Sequence, residues 1–97
     1  MQQEQSKITS QKLLELLRSL VVEVRPELDR EKISLESGFE KELGLDSLSR
    51  VELISRIERA FRLSLPESTF AEAENGRDLL RVITTLRPGL AGLAPAA

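Results

Sequence analysis

Apolar residues at helical spacing along residues 47–62 are the strongest constraint on how this chain can fold. No glycine or proline interrupts the segment, so the pattern predicts one continuous amphipathic helix. Its apolar positions are Leu48, Val51, Ile54, Ile57 and Phe61. Asp46 is the predicted N-cap, because an aspartate there accepts hydrogen bonds from the first backbone amides and its charge suits the positive helix end.

Two other segments show the same periodicity. The first is residues 10–25, with Ser10 as the predicted N-cap and Pro26 as the stop, since proline disfavours helical geometry in the residue before it. Its apolar stripe consists of Leu13, Leu14, Leu17, Leu20, Val21 and Val24. Asn75, with Asp78 three residues later, opens the last helix, and Pro88 ends it. The stripe of this helix consists of Leu79, Leu80, Ile83 and Leu86.

A short helix over residues 67–72, with Phe70 and Ala71 turned inward, completes the predicted architecture. The fold class is therefore all-α, an up-and-down four-helix bundle with three main helices and a short third helix. A long loop, residues 26–46, joins helices 1 and 2, and we expect its apolar residues to pin it across the bundle. These residues are Ile33, Leu35, Phe39, Leu43 and Leu45.

The length and composition favour a single small domain. The chain has 97 residues, of which 40% are hydrophobic and only three are aromatic, so aliphatic side chains must fill the core. We expect a polar N-terminal extension over residues 1–9 and a folded domain over residues 10–87. Residues 88–97 are rich in proline, glycine and alanine and are predicted to be a flexible tail or linker.

The composition also limits the function. The sequence contains neither cysteine nor histidine, which argues against a thiolate nucleophile, a self-contained hydrolase or a zinc site. The net charge of −2 comes from interspersed acids and bases, so nucleic acid is not expected as a partner. No segment is long and apolar enough to span or insert in a membrane, and the polar start lacks a signal peptide. We expect a cytoplasmic monomer that is not an enzyme.

One serine stands out as a candidate for chemistry. Ser47 follows the N-cap Asp46, so its hydroxyl lies in the first helical turn, where free amides and the helix dipole favour an added anion. A loop precedes it, which leaves the hydroxyl accessible to a modifying enzyme. The surrounding motif is Gly44-Leu45-Asp46-Ser47-Leu48.

This motif and its context resemble the acyl carrier protein family, whose members share an aspartate-serine-leucine signature at the start of their second helix. The resemblance spans roughly Leu13 to Leu86. It includes Phe39, Leu43, Gly44-Leu45-Asp46-Ser47-Leu48, Val51-Glu52-Leu53, Ile57-Glu58, Phe61, Leu65-Pro66 and Leu79-Leu80.

The resemblance implies a cofactor and a role. A phosphopantetheinyl transferase would attach 4′-phosphopantetheine from coenzyme A to Ser47, with Asp46 and Leu48 flanking the attachment point. The arm would hold acyl groups as thioesters and deliver them to acyltransferases or synthases of fatty acid, lipid or polyketide-type synthesis. The arm would thus bring in the sulfur that this chain lacks.

The charges of the second helix depart from the acidic pattern of many fatty acid carriers. Its bases are Arg50, Arg56, Arg59 and Arg62, and its acids are Glu52 and Glu58. The residues that the resemblance places in partner docking are Leu48, Arg50, Val51, Glu52, Arg56 and Glu58. The plainer interpretation is that Glu52 pairs with Arg56 and Glu58 with Arg62 on a solvated helix face.

Other functions remain open at this stage. Three features, Leu65-Pro66, Ala73-Glu74-Asn75 and the linker-like tail, look similar to carriers loaded by an acyl-adenylate ligase or to polyketide-type carriers. A peptidyl carrier would share the fold, although that family usually has glycine-glycine and histidine near its serine. A helical adaptor that is never modified is the alternative from a different class.

The apolar positions of the second helix could also sequester an acyl chain, but such spacing is first of all typical of a core.

Overall fold

The computed structural model describes residues 2–88, with side chains from Thr9 onward. Over this range the chain forms four α-helices and one short 3₁₀ helix, and no strand. The helices are α1 (Gln2–Val24), α2 (Ser47–Phe61), α3 (Glu67–Glu72) and α4 (Gly76–Leu86), and the 3₁₀ helix is Arg30–Lys32. The predicted all-α class, with four helices of which the third is short, is confirmed.

Helix α1 begins earlier than the sequence pattern indicated. Ser10 lies inside the helix, which starts at Gln2, so the prediction that Ser10 caps it was wrong. The residues before Ser10 are mostly glutamine, glutamate and lysine, which have a high helix propensity. They extend the helix toward the N-terminus although they form no apolar stripe. The helix ends at Val24, before Pro26, as expected. Most of the predicted tail, from Gly89 onward, lies outside the described residues, and the domain boundaries stay predictions.

The core forms where α1 packs against α2 and α4. Helix α1 supplies Leu13, Leu17, Leu20 and Val21, α2 supplies Leu53 and Ile57, and α4 supplies Leu79 and Ile83. Two residues assigned to the stripes, Val24 and Leu86, are exposed instead. Both lie at the last residue of their helix, where the neighbouring helices no longer cover the side chain.

The apolar face of α2 also differs from the prediction. Leu48 is 78% exposed and Val51 is 50% exposed, while Leu53 and Ile57 are buried. A helix turns by about 100° per residue, so a series spaced only by threes rotates by about 60° at each step. Three such steps separate Leu48 from Ile57, and they carry Leu48 about 180° around the helix, to its opposite side. Leu53, four residues before Ile57, stays on the buried face.

Helix α3 has the predicted bounds but a different buried face. Thr69 is its one buried residue, Phe70 is half-buried and Ala71 is exposed, so the expectation that Phe70 and Ala71 point inward was wrong for Ala71 and only partly right for Phe70. With six residues, α3 contacts mainly α2 and has too few turns for a stripe to define its orientation.

The connection between α1 and α2 is held by buried side chains and backbone hydrogen bonds. Its buried apolar residues are Ile33, Leu35, Phe39, Leu43 and Leu45. The Phe39 amide donates to the Glu74 carbonyl at 2.8 Å, and the Leu45 amide donates to the Phe39 carbonyl at 2.7 Å. Gly44 has φ +62°, a left-handed conformation that glycine adopts without strain, and it turns the chain toward α2.

The first residue of α4, Gly76, packs directly on this connection. A Cβ atom built there would lie 2.7 Å from Leu35 Cδ2 and 3.1 Å from Leu35 Cα. Because backbone cannot easily yield, we expect Gly76→Ala to lower the free energy of unfolding by about 1–3 kcal/mol, although alanine favours helices. Urea unfolding followed by circular dichroism measures the loss.

Gly38→Ala is the matched control for this prediction. Nothing lies closer than 3.8 Å to a Cβ atom at Gly38, and its φ is not positive. We therefore expect its free energy of unfolding to stay within about 0.5 kcal/mol of wild type. Equal stability of the two alanine variants would contradict the close packing at Gly76.

Candidate attachment site at the start of helix α2

Ser47 is the first residue of α2, and its side chain is exposed. Its hydroxyl makes no hydrogen bond to any residue of the described part of the chain. In the connection between α1 and α2, Leu45 is the last buried residue. The chain therefore leaves the core two residues before Ser47. The structure therefore presents Ser47 to solvent at the amino end of the helix.

Asp46 caps the helix as predicted. Its backbone is extended, and its Oδ1 atom accepts a hydrogen bond from the Ser49 amide at 2.8 Å. This bond from the Ser49 backbone lowers the pKa of the Asp46 carboxyl below its usual value. The carboxylate is thus ionised near neutral pH and occupies one of the free amides of the first turn.

The lowered pKa of Asp46 predicts a pH dependence of stability. An unfolded aspartate titrates at about pH 3.9. The ionised cap therefore stabilises the fold above that pH, and this stabilisation is lost as the pH falls through the lower pKa of Asp46 in the folded protein. Asparagine can accept the same amide hydrogen bond, but it has no charge to interact with the positive helix end and does not titrate. We therefore expect the stability advantage of wild type over Asp46→Asn to shrink on acidification. Urea unfolding at pH 7 and at pH 3 and below measures this, and parallel changes in both proteins would contradict it.

Apolar side chains border Ser47 on the exposed side of α2. Leu48 follows it directly, and Val51 lies one turn further on, and both are among the large hydrophobic residues that the structure leaves exposed. These two predicted docking residues are therefore accessible.

All four charged docking candidates have partners within the protein, and Arg56 and Glu52 are bonded to each other. Arg56 bonds to both carboxylate oxygens of Glu23 in α1, at 2.9 and 2.8 Å, and its Nε atom donates to Glu52 at 2.8 Å. These bonds raise the pKa of Arg56 and lower that of Glu23. The pairing of Glu52 with Arg56 agrees with the plainer interpretation of these charges. The contact between Glu23 and Arg56 could not be predicted from the sequence, because the two residues are 33 positions apart.

The pairing expected between Glu58 and Arg62 does not form. The Glu58 carboxylate accepts a hydrogen bond from the Leu65 amide at 2.8 Å, and Arg62 adopts a left-handed conformation, φ 55°, as the C-cap of α2. The Arg62 amide still donates to the Glu58 backbone carbonyl, but the Glu58 carboxylate is bonded to the Leu65 amide and not to the Arg62 guanidinium. Through its bond to the Leu65 amide, Glu58 holds the segment that follows α2 against the helix.

Arg50 also points inward. Its Nη2 atom donates to the carbonyls of Phe70 and Ala73, at 2.9 and 2.8 Å. The guanidinium carbon lies 5.9 Å from the ring centre of Phe39 and 5.5 Å from that of Phe70. The sequence favoured a solvated or docking role for Arg50, and the partners that the structure gives it are distant in sequence.

The geometry at Ser47 suits a phosphodiester. The hydroxyl is exposed and makes no competing bond within the part of the chain that the structure describes, and the positive end of α2 stabilises an added anion. A helical bundle with such a serine is typical of a domain that carries a prosthetic arm. In agreement, residues 11–83 match the family model described as a phosphopantetheine attachment site.

Curated relatives point to one family. An acyl carrier protein of Onion yellows phytoplasma is 33% identical over 61 residues, which cover 63% of this chain and 80% of that protein. Acyl carrier proteins of Phytoplasma australiense and Caulobacter vibrioides are each 32% identical, covering 73% and 74% of this chain and 92% and 91% of theirs.

The chain belongs to the acyl carrier protein family, and its cofactor is a covalently attached 4′-phosphopantetheine. Among the described residues, no helix is long and apolar enough to cross a membrane.

Proposed function

We propose that Ser47 carries the 4′-phosphopantetheine arm and that this chain shuttles acyl groups between enzymes. The observation that carries the proposal is the exposed Ser47 hydroxyl at the start of α2, which has no hydrogen bond to residues 9–88 and lies within the segment that matches the phosphopantetheine attachment model. The bound arm supplies a terminal thiol that holds an acyl group as a thioester. The chain acts as a covalent carrier rather than as a catalyst.

The chain's own residues present the attachment point. Asp46 caps α2 and fixes the orientation of its first turn, and the connection anchored by Phe39 and Leu45 holds the serine at the surface. This placement lets a transferase reach the hydroxyl, and it leaves the tethered arm free to move in solvent. Tethering raises the effective concentration of the acyl group at each partner, so weak docking is sufficient.

We further propose that partner enzymes dock on the exposed side of α2, chiefly through Leu48 and Val51. Both are apolar and open to solvent next to Ser47. The four charged candidates, Arg50, Glu52, Arg56 and Glu58, all have partners within the protein and are therefore less available to an enzyme than the two apolar residues. The mixed charge of this face would select different partners from those of a uniformly acidic helix.

The partners that we propose are a phosphopantetheinyl transferase, an acyl-loading enzyme such as an acyl-adenylate ligase, and acyltransferases or synthases of fatty acid, lipid or polyketide-type synthesis. The relatives carry the name acyl carrier protein, which supports acyl rather than aminoacyl cargo. A cytoplasmic location and a monomeric state stay predictions from the sequence.

Intact-mass spectrometry tests the attachment. The protein is incubated with coenzyme A and a phosphopantetheinyl transferase of broad specificity, and we expect one added arm per chain. Fragmentation of the modified peptide should place the added mass on Ser47. An unmodified protein would favour the adaptor that is never modified, and an arm on another residue would overturn the assignment to Ser47.

A second measurement tests the proposed loading route. The modified protein is offered fatty acyl adenylates, amino acyl adenylates and malonyl-coenzyme A, each with an enzyme that uses it. We expect fatty acyl groups to load. Loading of malonyl groups alone would contradict the adenylate route, and loading of amino acids alone would indicate a peptidyl carrier.

A further inference from the structure

The guanidinium of Arg50 links helix α2 to the short helix α3. It donates two hydrogen bonds through Nη2, to the carbonyls of Phe70 within α3 and of Ala73 at its C-cap. It also lies near the rings of Phe39 and Phe70, at distances that permit cation–π attraction. Arg50 therefore joins α2, α3 and the connection that precedes α2.

Helix α3 has few other sources of stability. It has six residues, and its N-cap, Pro66, makes no side-chain capping bond. Thr69 is its only buried residue. A helix this short is not stable by its own backbone hydrogen bonds, so contacts with the rest of the protein must hold it in place. Among the described residues, Arg50 is the one whose side chain donates hydrogen bonds to α3 and its C-cap.

We propose that Arg50 is a clasp that holds α3 closed on α2, so that releasing its guanidinium opens α3 locally while the rest of the bundle stays folded. The role suits arginine because its planar guanidinium can donate to two carbonyls and stack on aromatic rings at once. A lysine ammonium lacks this planar geometry. The inference concerns the chain before any arm is attached, so it does not depend on the proposed function.

Opening of α3 would change the protein surface next to the attachment helix. A cavity of about 380 Å³ is bordered by Phe39, Arg50, Ala71, Ala73, Glu74 and Asn75. Residues in α3 and immediately after it form one wall of this cavity, and Arg50 forms part of another. Arg50 lies one helical turn after Ser47. By holding α3 in place, Arg50 therefore controls access to this cavity and also determines how well ordered the protein surface near Ser47 is.

Amide hydrogen exchange of the full chain tests the clasp. In Arg50→Met, we expect the hydrogen-bonded amides within residues 67–74 to exchange about tenfold faster or more, because charge-assisted hydrogen bonds that hold the closed state are lost. The amides of α1 and α4 should exchange at wild-type rates under the same conditions. Arg50→Lys should show an intermediate increase, since lysine keeps the charge but cannot reproduce the planar contacts.

Arg59→Met is the matched control variant. Arg59 lies on the same helix, is largely exposed and contacts Glu52 at 3.7 Å, so we expect its removal to leave exchange in residues 67–74 unchanged. Two results would overturn the proposal. Exchange of α3 at wild-type rates in Arg50→Met would show that other contacts hold the helix. A uniform increase in all helices would show that Arg50 supports the bundle as a whole rather than α3.

Discussion

Ser47→Ala should accept no phosphopantetheine, whereas wild type should be converted to a form with one arm. The substitution removes the only atom of this residue that can form the phosphodiester, so the expected effect is complete loss rather than a slower rate. Ser47 makes no side-chain hydrogen bond in the described structure, and alanine is a good helix former. The variant should therefore fold normally, and circular dichroism before the assay verifies this.

Ser49→Ala is the control for this experiment. Ser49 lies two residues further along α2, and its backbone amide, which the substitution leaves in place, donates to the Asp46 cap. We expect Ser49→Ala to accept one arm, as wild type does. Intact mass after incubation with coenzyme A and the transferase distinguishes all three proteins. Modification of Ser47→Ala would assign the arm to another residue, and loss of modification in both variants would point to damage at the helix start.

Local signals made most of the architecture predictable. The caps at Asp46 and Asn75 form as the sequence indicated, with bonds from the amides three residues later at 2.8 and 3.1 Å. Such bonds depend on neighbours along the chain, so residue type and spacing are sufficient to predict them. The same holds for the end of α1 before Pro26 and for the position of Ser47 in the first turn of α2.

Contacts between distant segments were not predictable in this way. The spacing of the apolar residues predicts that α2 is a helix. Because residues spaced by threes rotate gradually around the helix, the spacing does not show which of them face the other helices. Leu48 and Val51 are therefore exposed although they belong to the pattern. Likewise, the pairing of Arg56 with Glu23 and the bonds from Arg50 to the carbonyls of Phe70 and Ala73 depend on how the helices pack.

The most consequential of the distant contacts is made by Phe39, which anchors the connection before α2. Its side chain is buried in the core, its amide and carbonyl bond to Glu74 and Leu45, and its ring faces the Arg50 guanidinium. One residue thus joins the long connection to the end of α3 and to α2. Removing its ring leaves a cavity and also takes away an aromatic neighbour of Arg50.

Phe39→Ala should therefore lower the free energy of unfolding by about 3–5 kcal/mol, the usual cost of deleting a buried aromatic side chain. Small domains have a total stability of about 5–15 kcal/mol, so the variant should be close to unfolding at moderate temperature. Phe39→Leu, which keeps much of the apolar volume, should lose less and remain folded. Urea and thermal unfolding followed by circular dichroism measure both losses.

Leu48→Ala is the control that shows whether the loss of stability in Phe39→Ala comes from burial of the side chain or only from its apolar character. Leu48 is as hydrophobic as the core leucines, but it is 78% exposed, so we expect its loss to change stability by less than about 0.5 kcal/mol. A loss at Leu48 as large as at Phe39 would mean that the first turn of α2 is covered. A negligible loss at Phe39 would mean that the connection is not part of the core, and that another contact holds Ser47 at the surface.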